Sequence, residues 1–201
     1  TPKDTTPPER VEADVEAGHT FTEVDETVTA KKATNLRNIP SQGSDSQVMH
    51  TLQNGQIAVA ASGYRLSHVC PFGKAVMAVS SDEGETYTNA WPVIDTVLDD
   101  RDAGLLPFGE SGLIVTSFNN TRQMQKGYLD GHINRRTEAE KAYVLGYLSL
   151  ISDEQEQAVL GSTYKVSYDN GVTFGPLYVS PVTSPHGPVE LADGTILWVG
   201  R

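Results

Sequence analysis

The stretches that decide the fold are SSDEGETY, at Ser80–Tyr87, and SYDNGVTF, at Ser167–Phe174. Both fit the pattern S-x-D-x-G-x-T-aromatic, and an internal repeat constrains a fold more than local propensity does. The Asp carboxylate and the Ser and Thr hydroxyls can bond turn amides, while the glycine accepts a positive φ. The closing aromatic residue can anchor the turn in the core. Each copy is therefore predicted to close a pair of strands.

Short apolar or β-branched runs separated by turn residues surround the two copies. The runs on either side of the first copy are VMHTL, QIAVAA, KAVMAVS, LLPF and LIVTSF, and those around the second are STYKVS, PLYVS, PVEL and TILWVG. This alternation, with turns such as QNG, DNG and ADG, is typical of antiparallel strands and hairpins. The sequence therefore predicts an all-β chain.

One interval, about 121–160, interrupts the strand pattern. Thr137 followed by Glu140 forms a capping box, which marks the start of a helix. Four residues then recur at helical spacing: Ala139, Tyr143, Tyr147 and Ile151. We expect a helical insertion at this point.

With the strands and the two copies in place, residues 36–201 resemble the sialidase-like, Asp-box (BNR repeat) family of six-bladed β-propellers. The resemblance implies four-stranded antiparallel blades with Asp-box hairpins, and a box whose role is structural. Blade one would run from about Asp45 to Asp95. Blade two would run from about Asp100 to Ser180 with the insertion inside it, and blade three would begin near Ser184. The chain would then be a fragment holding the N-terminal half of the ring, and the rest of the propeller would be needed to complete the fold.

Composition restricts the partners. The formal net charge of -11 would repel nucleic acid, so no nucleic-acid partner is expected. No apolar run is long enough for a membrane span, and the His and Cys spacing shows no metal-ligand pattern, so neither a metal nor a cofactor is expected. Residues 1–35 read as an acidic, Thr/Pro-rich linker or disordered lead-in. Such segments often tether domains of extracellular enzymes, and the alternative is a solvated tail without function. Because the family that the chain resembles includes bacterial sialidases, we expect a secreted, cell-surface or periplasmic protein of bacterial origin.

Polar clusters open the innermost strand of each predicted blade, and in a propeller these strands face a central channel. Glycoside cleavage usually needs two carboxyl groups, one as proton donor and one as base or nucleophile. The candidate catalytic residues are Asp45, Asp100 and Asp102. The candidate substrate-binding residues from the same clusters are Gln47, Arg101 and His186, with Arg101 suited to an anionic sugar carboxylate. The alternative interpretation is that these residues cap turns and form a local ion pair.

The resemblance adds two arginines and one histidine to the candidates. Arg65 resembles the arginine that follows the second strand in sialidases, and Arg37 lies in a motif similar to Arg-Ile-Pro with one extra residue. The family places an acid/base aspartate before the first Asp box, where this chain has His68 in a loop without aspartate. The tyrosine nucleophile and its glutamate partner would belong to the missing half.

Three functions fit these observations. The first is a glycoside hydrolase, an exo-α-sialidase or related exo-glycosidase, that acts on the terminal sugars of glycans. The second is a noncatalytic glycan-binding propeller that uses the same channel. The third is a propeller enzyme acting on another polysaccharide.

Overall fold

Two antiparallel sheets of four strands each form most of the fold in the computed structural model, which describes residues 47–131 and 136–201. The first sheet contains β1 (Gln47–Thr51), β2 (Ile57–Gly63), β3 (Lys74–Ser80) and β4 (Trp91–Ile94). The second contains β5 (Arg101–Phe108), β6 (Gly112–Phe118), β7 (Ser162–Ser167) and β8 (Tyr178–Val179). In both sheets the strands are neighbours in chain order. The prediction of an all-β chain with antiparallel strands is confirmed.

The remaining described elements are one short sheet and three helices. The short sheet pairs β9 (Val189–Glu190) with β10 (Ile196–Leu197). The helices are α1 (Arg122–Gly127), α2 (Glu138–Leu150) and α3 (Asp153–Gln157). All three helices lie between β6 and β7, inside the interval where the sequence predicted a helical insertion. None of the helices in the described ranges is long and apolar enough to cross a membrane.

The main core lies between the two four-stranded sheets, where β5 packs across β1 and β2. The first sheet contributes small residues, Ala58 and Ala60 from β2, beside the fully buried Met77 of β3. The second sheet faces them with larger side chains such as Leu105 and Leu113. Because side chains alternate along a strand, residues two apart share this buried face. Small alanines beside larger leucines allow the two sheets to approach closely.

A second, smaller core holds the insertion against the sheets. The capping box predicted at the start of α2 is present, with Thr137 and Glu140 each accepting a backbone amide of the other. The helix buries Val144 and Leu148, whereas Tyr143, at helical spacing from Ala139, is 64% exposed. These buried residues pack on Leu98 from the loop between β4 and β5. The insertion is therefore attached to a loop that leads into the second sheet.

The strand directions separate two ends of the molecule. β2 ends and β5 begins at one end, where the amide of Asp102 donates to Oγ of Ser62. The two Asp-box turns follow β3 and β7 at the opposite end. The loop at 64–73, the loop at 95–100 and the helical insertion all lie at the first end. Polar residues at this end are therefore the ones that can form a common site.

Some predictions lie outside the described residues. These are the lead-in at 1–35, Arg37 and Asp45, together with the side chain of Gln47, whose backbone begins β1.

Candidate functional site

The first Asp box is a closed set of hydrogen bonds. Oγ of Ser80 donates to Oδ1 of Asp82 over 2.7 Å and accepts from the amide of Gly84 over 2.8 Å. The amide and hydroxyl of Thr86 donate to the two carboxylate oxygens of Asp82, over 2.8 and 2.5 Å. Gly84 has a φ of 88°, which a side chain would strain. The box thus uses its four defining residues to hold the turn.

The second Asp box repeats this geometry. Oγ of Ser167 donates to Asp169 over 2.6 Å and accepts from the amide of Gly171 over 2.8 Å, and Thr173 makes both bonds to the carboxylate, over 2.8 and 2.5 Å. Hydrogen bonds from hydroxyls and amides stabilise the ionised carboxylate, led by the Thr86 hydroxyl at Asp82 and by the Ser167 hydroxyl at Asp169. They lower the pKa of both aspartates to about 2. Each carboxylate is occupied by its own turn, as expected of a structural residue.

The aromatic residues that close the boxes are both partly buried. Phe174 packs against the core between the sheets. Burial raises the pKa of Tyr87 to about 12, and the charge of Asp82 acts in the same direction. The two rings therefore attach the turns to the body of the protein.

A polar cluster lies at the other end of the sheets, around the start of β5. Nη2 of Arg101 lies 3.1 Å from Nε2 of His68, and Nε of Arg101 donates to Oδ2 of Asp102 over 3.2 Å. A guanidinium has only donors, so Nε2 of His68 must be the accepting nitrogen and the imidazole proton lies on Nδ1. Arg101 therefore joins the loop at 64–73 to the first strand of the second sheet.

Asp102 occupies a β-bulge. The pairing of β5 with β6 shifts register between Arg101 and Gly104, and Asp102 has a φ of 50°. Bulges re-aim side chains next to functional sites, and left-handed backbone in a residue with a side chain is uncommon. The Asp102 side chain is 20% exposed. Of the candidate catalytic carboxylates with described side chains, it is the one that reaches the surface.

His186 joins this cluster through its backbone. Its amide donates to the carbonyl of Asp102 over 3.3 Å, its own φ is 66°, and its side chain is exposed. The close approach depends on Gly104, because a Cβ at that position would lie 2.3 Å from the carbonyl oxygen of His186. The structure thus brings together the candidates Arg101, Asp102 and His186, with His68 beside them.

Asp100 points away from this cluster into the interior. Its carboxylate is fully buried and accepts the amide and hydroxyl of Thr96 over 2.5 and 3.0 Å, with the hydroxyl of Ser117 at 3.4 Å. Burial raises the pKa of Asp100 to about 7, and the neighbouring acids Asp99 and Asp95 add to the effect. The carboxylate ties the loop at 95–100 to β6. Its catalytic role stays a prediction, and its geometry favours a structural one.

Arg65 is also enclosed. Its side chain is 1% exposed, and its two terminal nitrogens bind the Asp99 carboxylate over 2.7 and 2.9 Å. Nη2 also donates to the carbonyl of His68, and Asp99 accepts the amide of Cys70 over 3.0 Å. Burial raises the pKa of Asp99, and the charge of Arg65 opposes that rise. Both terminal nitrogens of this guanidinium are already bound within the protein, and the predicted contact of Arg65 with substrate stays a prediction.

Sequence reasoning missed Asp99, Ser62 and the role of Gly73. A Cβ at Gly73 would lie 2.4 Å from Nη1 of Arg65 and 2.5 Å from Oδ1 of Asp99, so only glycine fits beside the ion pair. The partners are 34 positions apart in the chain, at the ends of different loops. No local spacing connects them, and a single loop glycine is common in proteins of every fold, so it does not mark a buried ion pair.

A separate cleft of about 300 Å³ lies beside the second Asp box, on the outer strands of the second sheet. Its lining residues are Val166, Tyr168, Asp169, Thr173, Gly175, Pro176 and Tyr178. Across the described ranges, no group of three or more His, Cys, Asp or Glu side chains is placed to hold a metal ion.

Comparisons with known proteins give little further guidance. No protein-family model matches the sequence. No curated protein matches it either. A crystal structure from Dyadobacter fermentans DSM 18053, titled as a protein of unknown function, is similar at 18% identity with a TM-score of 0.47. The similarity covers 80% of this chain and 48% of that chain, so the present chain spans about half the length of that structure.

Proposed function

We propose that the chain is part of a sialidase-like, Asp-box β-propeller that hydrolyses glycosidic bonds at the terminal sugars of glycans. The observation that carries the proposal is the repeated sheet. Each four-stranded antiparallel sheet has its Asp box between the third and fourth strands, with matching hydrogen bonds at Asp82 and Asp169. A repeated unit of this kind, which buries one face against the next unit, is the basis of propeller architecture.

The outer face of the second sheet supports further units of the same kind. When the two boxes are aligned, Val166 and Tyr178 correspond to Val79 and Trp91 of the first sheet. Val79 and Trp91 pack against the core between the sheets, whereas Tyr178 is 46% exposed and Val166 lines the open cleft. The face of the second sheet that carries Val166 and Tyr178 is therefore the one against which a further sheet would pack. We infer that the rest of the propeller covers it, and that the whole protein is secreted or displayed at a bacterial cell surface or in the periplasm.

The proposed chemistry uses the cluster at the start of β5. Asp102 is the carboxyl group proposed to act on the glycosidic bond, together with Asp45. Arg101 is proposed to pair with an acidic group of the sugar, because guanidinium binds carboxylate through two donors. The exposed His186 would contact sugar hydroxyls. The bulge at Asp102 supports this assignment, because it turns the side chain out of the regular strand pattern.

A noncatalytic glycan-binding propeller is the second candidate. It is favoured by the burial of Asp100, because that carboxylate is fully enclosed and leaves Asp102 as the reachable candidate in the described ranges. Hydrolysis would then depend on Asp45 or on residues of the remaining blades. Binding alone would need neither.

The experiment that tests the proposal is hydrolysis of a panel of fluorogenic glycosides, sialosides included, by the full-length protein. Asp102→Asn is expected to lower kcat for the responding sugar by about 10²-fold or more, the usual range for loss of a general acid or base. Glu110→Gln, which changes an exposed carboxylate in the turn between β5 and β6, is the matched control and should leave kcat unchanged. Hydrolysis of no sugar, with retention of protein on a glycan array, would instead identify the binding propeller.

A further inference from the structure

The helical insertion forms hydrogen bonds with the loop that carries His68. Nε of Arg136 donates to Oγ of Ser67 over 2.9 Å, and Nη2 donates both to that hydroxyl and to the carbonyl of Val69, the latter over 2.5 Å. Ser67 and Val69 are the two chain neighbours of His68. One side chain of the insertion therefore binds the loop on both sides of the histidine.

The same insertion also contacts the loop that leads to Arg101. The Tyr147 hydroxyl donates to the carbonyl of Val97 over 3.2 Å. The ring of Phe72, at the far end of the His68 loop, lies 5.1 Å from Tyr143 and 4.9 Å from Tyr147. Aromatic pairs at these separations add to the energy of their burial. The insertion thus bridges the two loops whose ends form the polar cluster.

Two further arginines contact His68. Its Nε2 accepts from Arg101, and its carbonyl accepts from Arg65. Arg101 begins β5, whereas Arg65 lies in the same loop as His68 and is held by its buried pair with Asp99. The ring therefore meets Arg101 only while the loop backbone keeps its path. The guanidinium of Arg136 presents several donors in one rigid plane, so it holds the backbone of the loop better than the flexible ammonium of a lysine would.

We propose that Arg136 is a positioning residue for the candidate site. From its position just before α2 it holds the backbone on both sides of His68, so that the imidazole accepts a hydrogen bond from the Arg101 guanidinium through Nε2. Arg136 donates to the loop and acts on the site only through His68. The proposal takes the polar cluster from the proposed function, but it is tested on the imidazole itself, whether or not the protein cleaves a sugar.

The test is the tautomer of His68 in the full-length protein, read from ring nitrogen shifts after ¹⁵N-histidine labelling and assigned with His68→Gln. In the natural protein the proton is expected on Nδ1, because Nε2 accepts a hydrogen bond and the bond made by one nitrogen decides which nitrogen is protonated. In Arg136→Ala this pattern should be lost in favour of Nε2–H. Arg136→Lys should restore part of it.

Arg122→Ala is the matched control, because Arg122 is also an arginine of the insertion but binds Glu156 and Asp153 within it. It should leave the His68 shifts unchanged. Where Arg136→Ala does not fold, Ser67→Ala serves instead, since it removes one acceptor of the Arg136 guanidinium and leaves the helices intact. Unchanged His68 shifts in the Arg136 or Ser67 variant, or an equal change in Arg122→Ala, would overturn the proposal.

Discussion

Arg65 and Asp99 form a two-point ion pair in the interior, with side chains 1% and 0% exposed. The pair joins the loop after β2 to the loop before β5, and the polar cluster of the candidate site is built on those two loops. The two distances between guanidinium nitrogens and carboxylate oxygens are short, at 2.7 and 2.9 Å. The position of the polar cluster therefore depends on a buried ion pair.

Asp99→Asn should destabilise the protein strongly, because it leaves the permanently charged Arg65 buried without its counter-ion. The expected loss is about 3 to 5 kcal/mol of unfolding free energy, measured by urea denaturation. The control is Lys74→Ala, which breaks the more exposed pair with Asp95 and should cost less than about 1 kcal/mol. Equal losses of unfolding free energy in the two variants would show that the buried pair stabilises the protein no more than the exposed pair does.

Asp100→Asn should change how stability depends on pH. Because burial raises the folded pKa of Asp100 from 3.8 to about 7, only the folded state keeps the proton between these values. The free energy of unfolding should therefore fall as pH rises from about 4 to about 7, by an amount on the order of 4 kcal/mol. In Asp100→Asn the fall should be smaller, because the titrating proton is gone. Urea denaturation across this range measures it, and an unchanged slope would contradict the raised pKa.

The Asp boxes should act in a lower pH range and with the opposite sign. The folded pKa of Asp82 and of Asp169 is lowered to about 2, so their stabilising effect is present above the unfolded value near 4. It is lost as pH falls from about 4 to about 2. The double variant Asp82→Asn, Asp169→Asn should show a weaker decline of the urea midpoint over this range. Glu110→Gln, which removes an exposed carboxylate, is the control. If the urea midpoint of the double variant falls with pH as steeply as that of the control, the hydrogen bonds of the Asp boxes do not stabilise the ionised carboxylates.

Gly104→Ala should separate His186 from the start of β5. The new Cβ would lie 2.3 Å from the His186 carbonyl oxygen and 2.3 Å from Oγ1 of Thr116, so the backbone has to move. We expect faster hydrogen exchange at the His186 amide, which normally bonds to Asp102. Gly146→Ala is the control: nothing lies within 4 Å of its added Cβ, and in α2 it should stabilise by about 0.5 to 1 kcal/mol. Unaltered exchange at His186 in Gly104→Ala would refute the close approach.

The repeat made the sheets predictable. Each Asp box is local, because its donors and acceptors lie within six positions, and the strands around it show turn residues at every reversal. The helix at 138–150 was predictable for the same reason, since Thr137 and Glu140 are three positions apart and cap it directly. Its buried face was less clear. Val144 and Leu148 are buried because Leu98 and the 95–100 loop lie beside them. The sequence of the helix alone does not show which of its faces will meet that loop.

For the candidate site, the sequence predicted only which polar residues lie near the starts of strands. The sequence by itself predicted that Arg101, Asp102 and His186 lie near the starts of strands, because polar residues before apolar runs have a local signature. Arg101 and Asp102 begin β5, and His186 lies three positions before β9. Only the tertiary structure decided that Asp100 is buried, that Arg65 is paired with Asp99, and that His68 meets Arg101. The physical reason is that burial and pairing depend on which loops the sheets bring together. These contacts join residues more than thirty positions apart, so no periodicity along the chain records them.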